Sequence, residues 1–198
     1  MDNKMNRRQY LLGVLATVAA PAAVAEMAAD SAAGKDAEGE IKDLKFAHSW
    51  TKNLLDEMPG AKDNVDLMRR ASSMCWRAKG IDKMIEPIKS AAEFLGCLQR
   101  DFGWTLHYDP ATDIVICDEN NTECLCPVVR AAKGKISPMM CHCTEGMLRR
   151  IFEVGLKRKV ETEIVSSIIR GGKTCSYQIR MLDLSDDEKK LFKELCVA

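Results

Sequence analysis

Apolar positions divide this chain into segments of different period. After a short polar start, Met1 to Asn6, a mildly apolar, Ala-rich run extends from Leu11 to Ala25. A polar stretch of Ala, Asp, Gly, Ser and Lys follows, from Glu26 to about Gly39. Helical periodicity begins near Lys45. Phe46, Trp50, Leu54 and Leu55 share one face up to the break at Pro59-Gly60. Val65, Leu67, Met68, Ala71, Met74 and Cys75 predict a second helix ending near Gly80, and Ile88, Ala91, Ala92, Leu95 and Leu98 a third over about Lys83 to Asp101. The period then falls to two. Trp104, Leu106 and Tyr108 alternate with polar neighbours, Asp109 to Asp113 reads as a turn, and Ile114 to Cys117 returns, so a β-hairpin is expected.

Further on, Glu123 to Val129 reads as a short strand, and Arg130 to Pro138 as a basic loop. Thr144 is the expected cap of a helix carrying Met147, Leu148, Ile151 and Phe152. Lys159 to Ile169 is β-branched and strand-like. Arg170-Gly171-Gly172-Lys173 makes a turn, and Thr174 to Leu182 pairs back with Cys175, Tyr177 and Ile179 on one face. Asp186 to Leu195 is a last helix. Helices first, then hairpins with one inserted helix, predict an α+β fold in which N-terminal helices pack on an antiparallel sheet.

Composition narrows the function classes. The 198 residues carry 29 Lys and Arg against 29 Asp and Glu, so no basic footprint for nucleic acid exists. At the front, Arg7-Arg8 precede Tyr10, Leu11 and Leu12, and Ala23-Val24-Ala25 has the small-x-small form that signal peptidase accepts. This resembles a twin-arginine export signal. An ordinary secretory signal or a short anchor is the alternative, but the apolar run is too short and too weak to span a bilayer comfortably. The resulting layout is a signal over residues 1–25, a flexible spacer over 26–44 and one Cys-rich domain over 45–198. The resemblance implies the twin-arginine export machinery as a partner, delivery in the folded state, a periplasmic or other extracytoplasmic location, and no stable membrane span after cleavage.

Candidate chemistry sits in the cysteines. Five of the nine fall close together: Cys117, then Cys124-Leu125-Cys126, then Cys141-His142-Cys143. Two Cys-x-Cys pairs can supply four soft donors to one metal ion, so Cys124, Cys126, Cys141 and Cys143 are the expected ligands, with zinc as the leading metal. An iron–sulfur cluster is chemically allowed but the spacing differs from ferredoxin runs, so it ranks behind zinc. Two other readings stay open: disulfides between the pairs, and a redox-active thiol set. Nine is an odd number, so not every cysteine can pair within the chain. Cys117 and Cys175, on strands, and His142, between two cysteines, form a second tier. Cys75, Cys97 and Cys196 lie on expected helices and read as core or isolated thiols. His48 and His107 have no supporting neighbours. Glu145, at an expected helix start, reads first as a partner of the helix dipole and only secondarily as an acid or base. Trp50, Trp76, Trp104, Tyr108 and Tyr177 either pack in the core or line an apolar ligand pocket. No Ser-centred elbow and no His-Glu-x-x-His occurs, so the residues carry no strong enzyme signature.

The stretch from Cys141 through Gly146 and the expected helix, to Ser166-Ser167-Ile168-Ile169-Arg170-Gly171-Gly172 and then Cys175-Ser176-Tyr177-Gln178-Ile179, resembles the C-terminal half of the vinyl-reductase-type small-molecule-binding domain. The chain is also similar to bacterial proteins of the L-2-amino-thiazoline-4-carboxylate hydrolase-like group, and to a related family with paired Cys-x-Cys motifs. That last likeness rests on Trp50 to Leu55, Cys75, Phe102-Gly103-Trp104, Cys124 to Val129, Cys141 to Gly146 and the Arg170 to Ile179 hairpin. In phenol-sensing relatives of the vinyl-reductase type, zinc is held by cysteines and a Glu near the final hairpin. Cys175 matches the last of those cysteines, Ser167 stands where another is expected, and Glu163 matches the acidic ligand. The signal, the Cys-x-Cys pairs and the resemblance together predict an exported metal-binding domain, with a small-molecule pocket in the vinyl-reductase-type half and a binding or sensing role. The alternatives are a thiazoline-type or other metal- or thiol-dependent enzyme, and a disulfide-stapled structural domain without cofactor.

Overall fold

A computed structural model describes residues 27–57, 61–133 and 136–196. The expected export signal lies outside these residues. Seven α-helices and four strands occur among them: α1 Met27–Glu57, α2 Asn64–Ala78, α3 Ile81–Ile85, α4 Ala91–Arg100, β1 Thr105–Asp109, β2 Ile114–Asp118, α5 Pro127–Ala131, α6 Cys141–Leu156, β3 Val160–Ser166, β4 Ser176–Met181 and α7 Asp186–Leu195. The fold is α+β.

The four strands form one sheet in the order β1-β2-β4-β3, with every neighbouring pair antiparallel. Alternation decides its two faces. Leu106 and Tyr108, Val115 and Cys117, and Tyr177, Ile179 and Met181 are buried, whereas His107, Glu161, Glu163 and Arg180 face outward. The β1–β2 turn is held by the Asp109 carboxylate, which accepts from Ala111 N at 2.9 Å and Thr112 Oγ1 at 2.7 Å. Between β3 and β4, a 3₁₀ turn over Ile168–Arg170 ends at Gly171, whose φ of 87° suits glycine.

The helices cover the buried face. α6 packs along α2 and against β3, α1 lies on α2 and α5, and α4 meets α6 and α7. Phe94 of α4 and Phe152 of α6 meet edge to face, with centroids 5.2 Å apart. α6 approaches its neighbours closely because two positions lack side chains. A Cβ at Gly146 would overlap the backbone of Arg69 on α2, and one at Gly155 would overlap the Phe94 ring.

Four local expectations differ from the structure. The segment read as a spacer over 26–44 is helical from Met27, because its Ala, Lys and Glu favour a helix and only Gly34 and Gly39 oppose it. Asp43, midway along this helix, takes both ends of the Arg130 guanidinium at 2.8 Å. The single third helix is two, α3 and α4. Pro87 interrupts it, and Ser90 starts α4 by accepting from Glu93 N at 3.2 Å. The strand expected over Glu123 to Val129 is a loop followed by α5, with Pro127 at its first turn. α6 begins at Cys141, behind a 3₁₀ turn over Pro138–Met140 capped by Ser137, so Thr144 sits inside the helix rather than capping it. Trp50, Trp76, Trp104, Tyr108 and Tyr177 are all buried, which fits the core-packing alternative. No helix among the described residues is long and apolar enough to cross a membrane.

Candidate functional site

The β2–α5 loop carries Cys124 and Cys126, both half-buried, over the end of α2 and the start of α6. Cys75 comes from the last turn of α2, and Cys143 is the third residue of α6. Cys175 precedes β4, where its carbonyl accepts from Glu119 N at 2.9 Å and ties the loop to the sheet. These five thiols line one small cavity of about 40 Å³, together with Glu119, Lys79, Thr144, Met147 and Tyr177. A space that size has room for an ion or a few waters, since one water needs about 10–15 Å³.

Burial pushes the Cys124 and Cys126 thiols up, and Cys175 up to about 11. Cys75 goes the other way, down to about 7. The thiol of Cys143 donates to its sulfur, which outweighs the cost of burial, and Lys79 adds attraction. That donated hydrogen bond and burial together hold the Cys143 proton well above the ordinary range. Of the two, Cys75 is therefore the thiol that ionises first. The buried Trp50 Nε1–H makes no hydrogen bond of full geometry among the described residues, and lies where it favours a charged Cys143 sulfur. None of the nine cysteines, all of them described, is disulfide-bonded. No three His, Cys, Asp or Glu among the described residues stand at metal-coordinating positions.

The expected ligand set is thus partly assembled. Cys124, Cys126 and Cys143 line the cavity. Cys141 does not. It is buried beside it, with its Sγ donating to Ser167 Oγ at 3.3 Å. Of the second tier, Cys175 lines the cavity and Cys117 does not, being fully buried on β2 opposite Tyr177. Glu163 lies outside the cavity, on the outer face of β3. His142 also points away from it. Cys75 and Glu119 belong to the cavity without having been expected there. Spacing cannot show this for Cys75, because it arrives from a helix about fifty residues upstream of the first pair.

A second, open site lies on the opposite side of the α6 start. His142 and Glu145, three residues apart, line a cleft of about 480 Å³ that runs around the free edge of β3. Glu145 is 1% exposed and so does not merely complement the helix dipole. Its carboxylate accepts from Arg69 Nη2 at 2.8 Å and Nε at 3.2 Å, and from His142 Nδ1 at 2.6 Å. On the far side of the ring, Arg170 Nη2 lies 3.2 Å from His142 Nε2. A guanidinium only donates, so Nε2 accepts and the imidazole proton sits on Nδ1. The i,i+3 spacing of His142 and Glu145 was the visible sign of this pair, whereas Arg69 is brought in by the α2–α6 contact.

No family model matches the chain. No curated protein matches it either. Among solved structures, the chain is similar to trafficking protein particle complex subunit 3 from Naegleria fowleri, a structure covalently bound to palmitic acid. The identity is 11%, the match covers 73% of this chain and 97% of that one, and the TM-score is 0.44.

Proposed function

We propose that this is an exported metal-binding domain. A thiophilic ion, zinc first, is held in the thiol cavity by Cys124, Cys126 and Cys143, with Cys75 and Cys175 as the adjacent donors. The open cleft beside it serves a binding or sensing role. The observation that carries this reading is the convergence of five thiols, from four separate segments, on one ion-sized cavity. Packing alone gives no reason for sulfur to gather there, and the donor set suits a soft cation. The sulfurs are not drawn to coordinating positions. Closing the site asks for movement of the half-buried Cys124 and Cys126 on their loop, toward the two residues fixed on α2 and α6. The bound ion would replace the thiol protons that burial now retains, and so make assembly depend on pH. Delivery already folded, by the twin-arginine route, protects such thiols from mispairing. The vinyl-reductase-type likeness of the C-terminal half belongs to this proposal too, supported by the order of α6, β3, the Gly171 turn and β4.

A second reading is favoured by one contact. The Cys143 thiol beside Cys75 lowers the Cys75 pKa to about 7, which favours a nucleophilic thiolate of the kind a redox-active pair uses. Elemental analysis of anaerobically purified protein, beside a count of reactive thiols, separates the two. About one zinc per chain, lost from the Cys124→Ser, Cys143→Ser double variant together with thermal stability, supports the metal site. Unchanged metal content and melting in that variant would sink it. A metal-free protein in which Cys75 alkylates rapidly at neutral pH favours the thiol pair.

A further inference from the structure

We propose that the cleft around the β3 edge binds a small carboxylate that carries a hydroxyl or amine donor next to its carboxyl group. This inference rests on the cleft being the small-molecule site, and not on the metal.

The recognition elements are Arg170 and His142. Arg170 is exposed and, among the described residues, makes no ion pair. Its guanidinium meets the His142 ring. That contact satisfies one donor of five and leaves the charge of the fork uncompensated. A carboxylate offers this guanidinium two parallel charge-assisted bonds, which a ring nitrogen cannot match. An arriving carboxylate therefore draws Arg170 off His142 and uncovers Nε2.

Nε2 is then an acceptor whose orientation is already set. Arg69 holds Glu145, Glu145 holds Nδ1–H, and the close Gly146 contact keeps α6 at the right distance from Arg69. An acceptor facing a cleft selects for a ligand with a donor within reach of its own carboxylate. The remaining charges set the valence. Arg180 already has Glu161 at 3.6 Å, and Glu163 faces the cleft without an ion pair among the described residues. With Arg69 and Glu145 neutralising each other, the charge left over is that of Arg170 against Glu163. A singly charged ligand is thus favoured over a doubly charged phosphate.

The test compares glycolate, acetate and inorganic phosphate on the full chain, by calorimetry and by chemical shifts of the His142 ring and the Arg170 guanidinium. Glycolate is expected to bind about fivefold tighter than acetate, the value of one added neutral hydrogen bond. Phosphate should be weakest. Arg170→Gln should abolish binding of all three. His142→Phe should keep acetate binding and bring glycolate down to it, while Arg180→Gln should leave the order unchanged. Equal affinity for glycolate and acetate in the parent chain overturns the proposal, even if every variant fails to fold. Tighter phosphate binding, or shifts away from His142 and Arg170, overturns it as well. Metal content measured on the same sample keeps the two readings apart. Glycolate selectivity in a metal-free protein sustains this inference and removes the metal, and bound zinc without carboxylate binding does the reverse.

Discussion

Cys143 and His142 are adjacent in the chain, yet they look into opposite surroundings. One faces a small cavity lined by sulfur and the Tyr177 ring, the other a wider cleft of arginine and glutamate. A helix turns its successive side chains by roughly 100°. Two neighbours can therefore serve two sites only if the helix runs along the wall between them, as α6 does. The cavity depends on burial, which keeps protons on most of its thiols. The cleft depends on paired charges, which keep one proton at one ring nitrogen. The same backbone segment thus sustains an environment that opposes charge and another organised by it.

Gly146 belongs to that wall, so Gly146→Val should damage both sides. Side-chain atoms forced against the Arg69 backbone are expected to cost about 3 kcal/mol. A lower denaturant midpoint at unchanged slope would report this, accompanied by shifts at both Trp50 and His142. Retained stability would mean that α2 and α6 separate more easily than their contact implies. Glu145→Ala should break one side only. It leaves Arg69 and His142 without their acceptor, at about 2 kcal/mol, below the usual cost of halving a buried pair because Arg69 reaches solvent. The reactive-thiol count should stay at the parent value, and a change in it would show that the two sites are not separable.

Cys143→Ala is the converse, with an expected loss of about 1 kcal/mol from the sulfur hydrogen bond. The His142 ring signals should not move. The smallest effect lies away from both sites. Lys189 at 2.8 Å and the Tyr108 hydroxyl at 2.7 Å hold the Asp113 carboxyl below its ordinary value of 3.8. A lowered carboxyl stabilises the fold at pH above its ordinary value, and that contribution is lost as pH falls through the lowered one. Lys189→Met should weaken the protein by a few tenths of a kcal/mol at pH 6, with the difference disappearing under strong acid. A difference that persists in acid would assign the effect to packing of α7.

The strands were legible because their alternation is local. Leu106 and Tyr108, and Tyr177 and Ile179, each sort onto one face without knowledge of the rest of the chain. The end helix over Asp186 to Leu195 was equally plain, with Ser185 and Glu188 forming its capping box. The Cys-x-Cys pairs drew attention to the neighbourhood of the cavity, which three of their four cysteines line. Cys141 and Cys143 are two residues apart on a helix, and that spacing sends them to different places, whereas a strand would have sent them together. Cys75, Arg69 and Glu119 were not legible as site residues, because each is placed by a contact between distant segments. Glu145 read as a partner of the helix dipole for the same reason. Nothing near it in sequence announces that Arg69, 76 positions away, will neutralise it.

α2 and α6 each contribute to both the cavity and the cleft: Cys75 and Arg69 come from the first, and Cys143 and Glu145 are among those from the second. Any shift of one helix against the other changes the spacing of both pairs at once. Movement of this kind, rather than a change in one side chain, is therefore what would couple the two sites. If an ion in the cavity alters carboxylate affinity in the cleft by some factor, the carboxylate must alter ion affinity by that same factor.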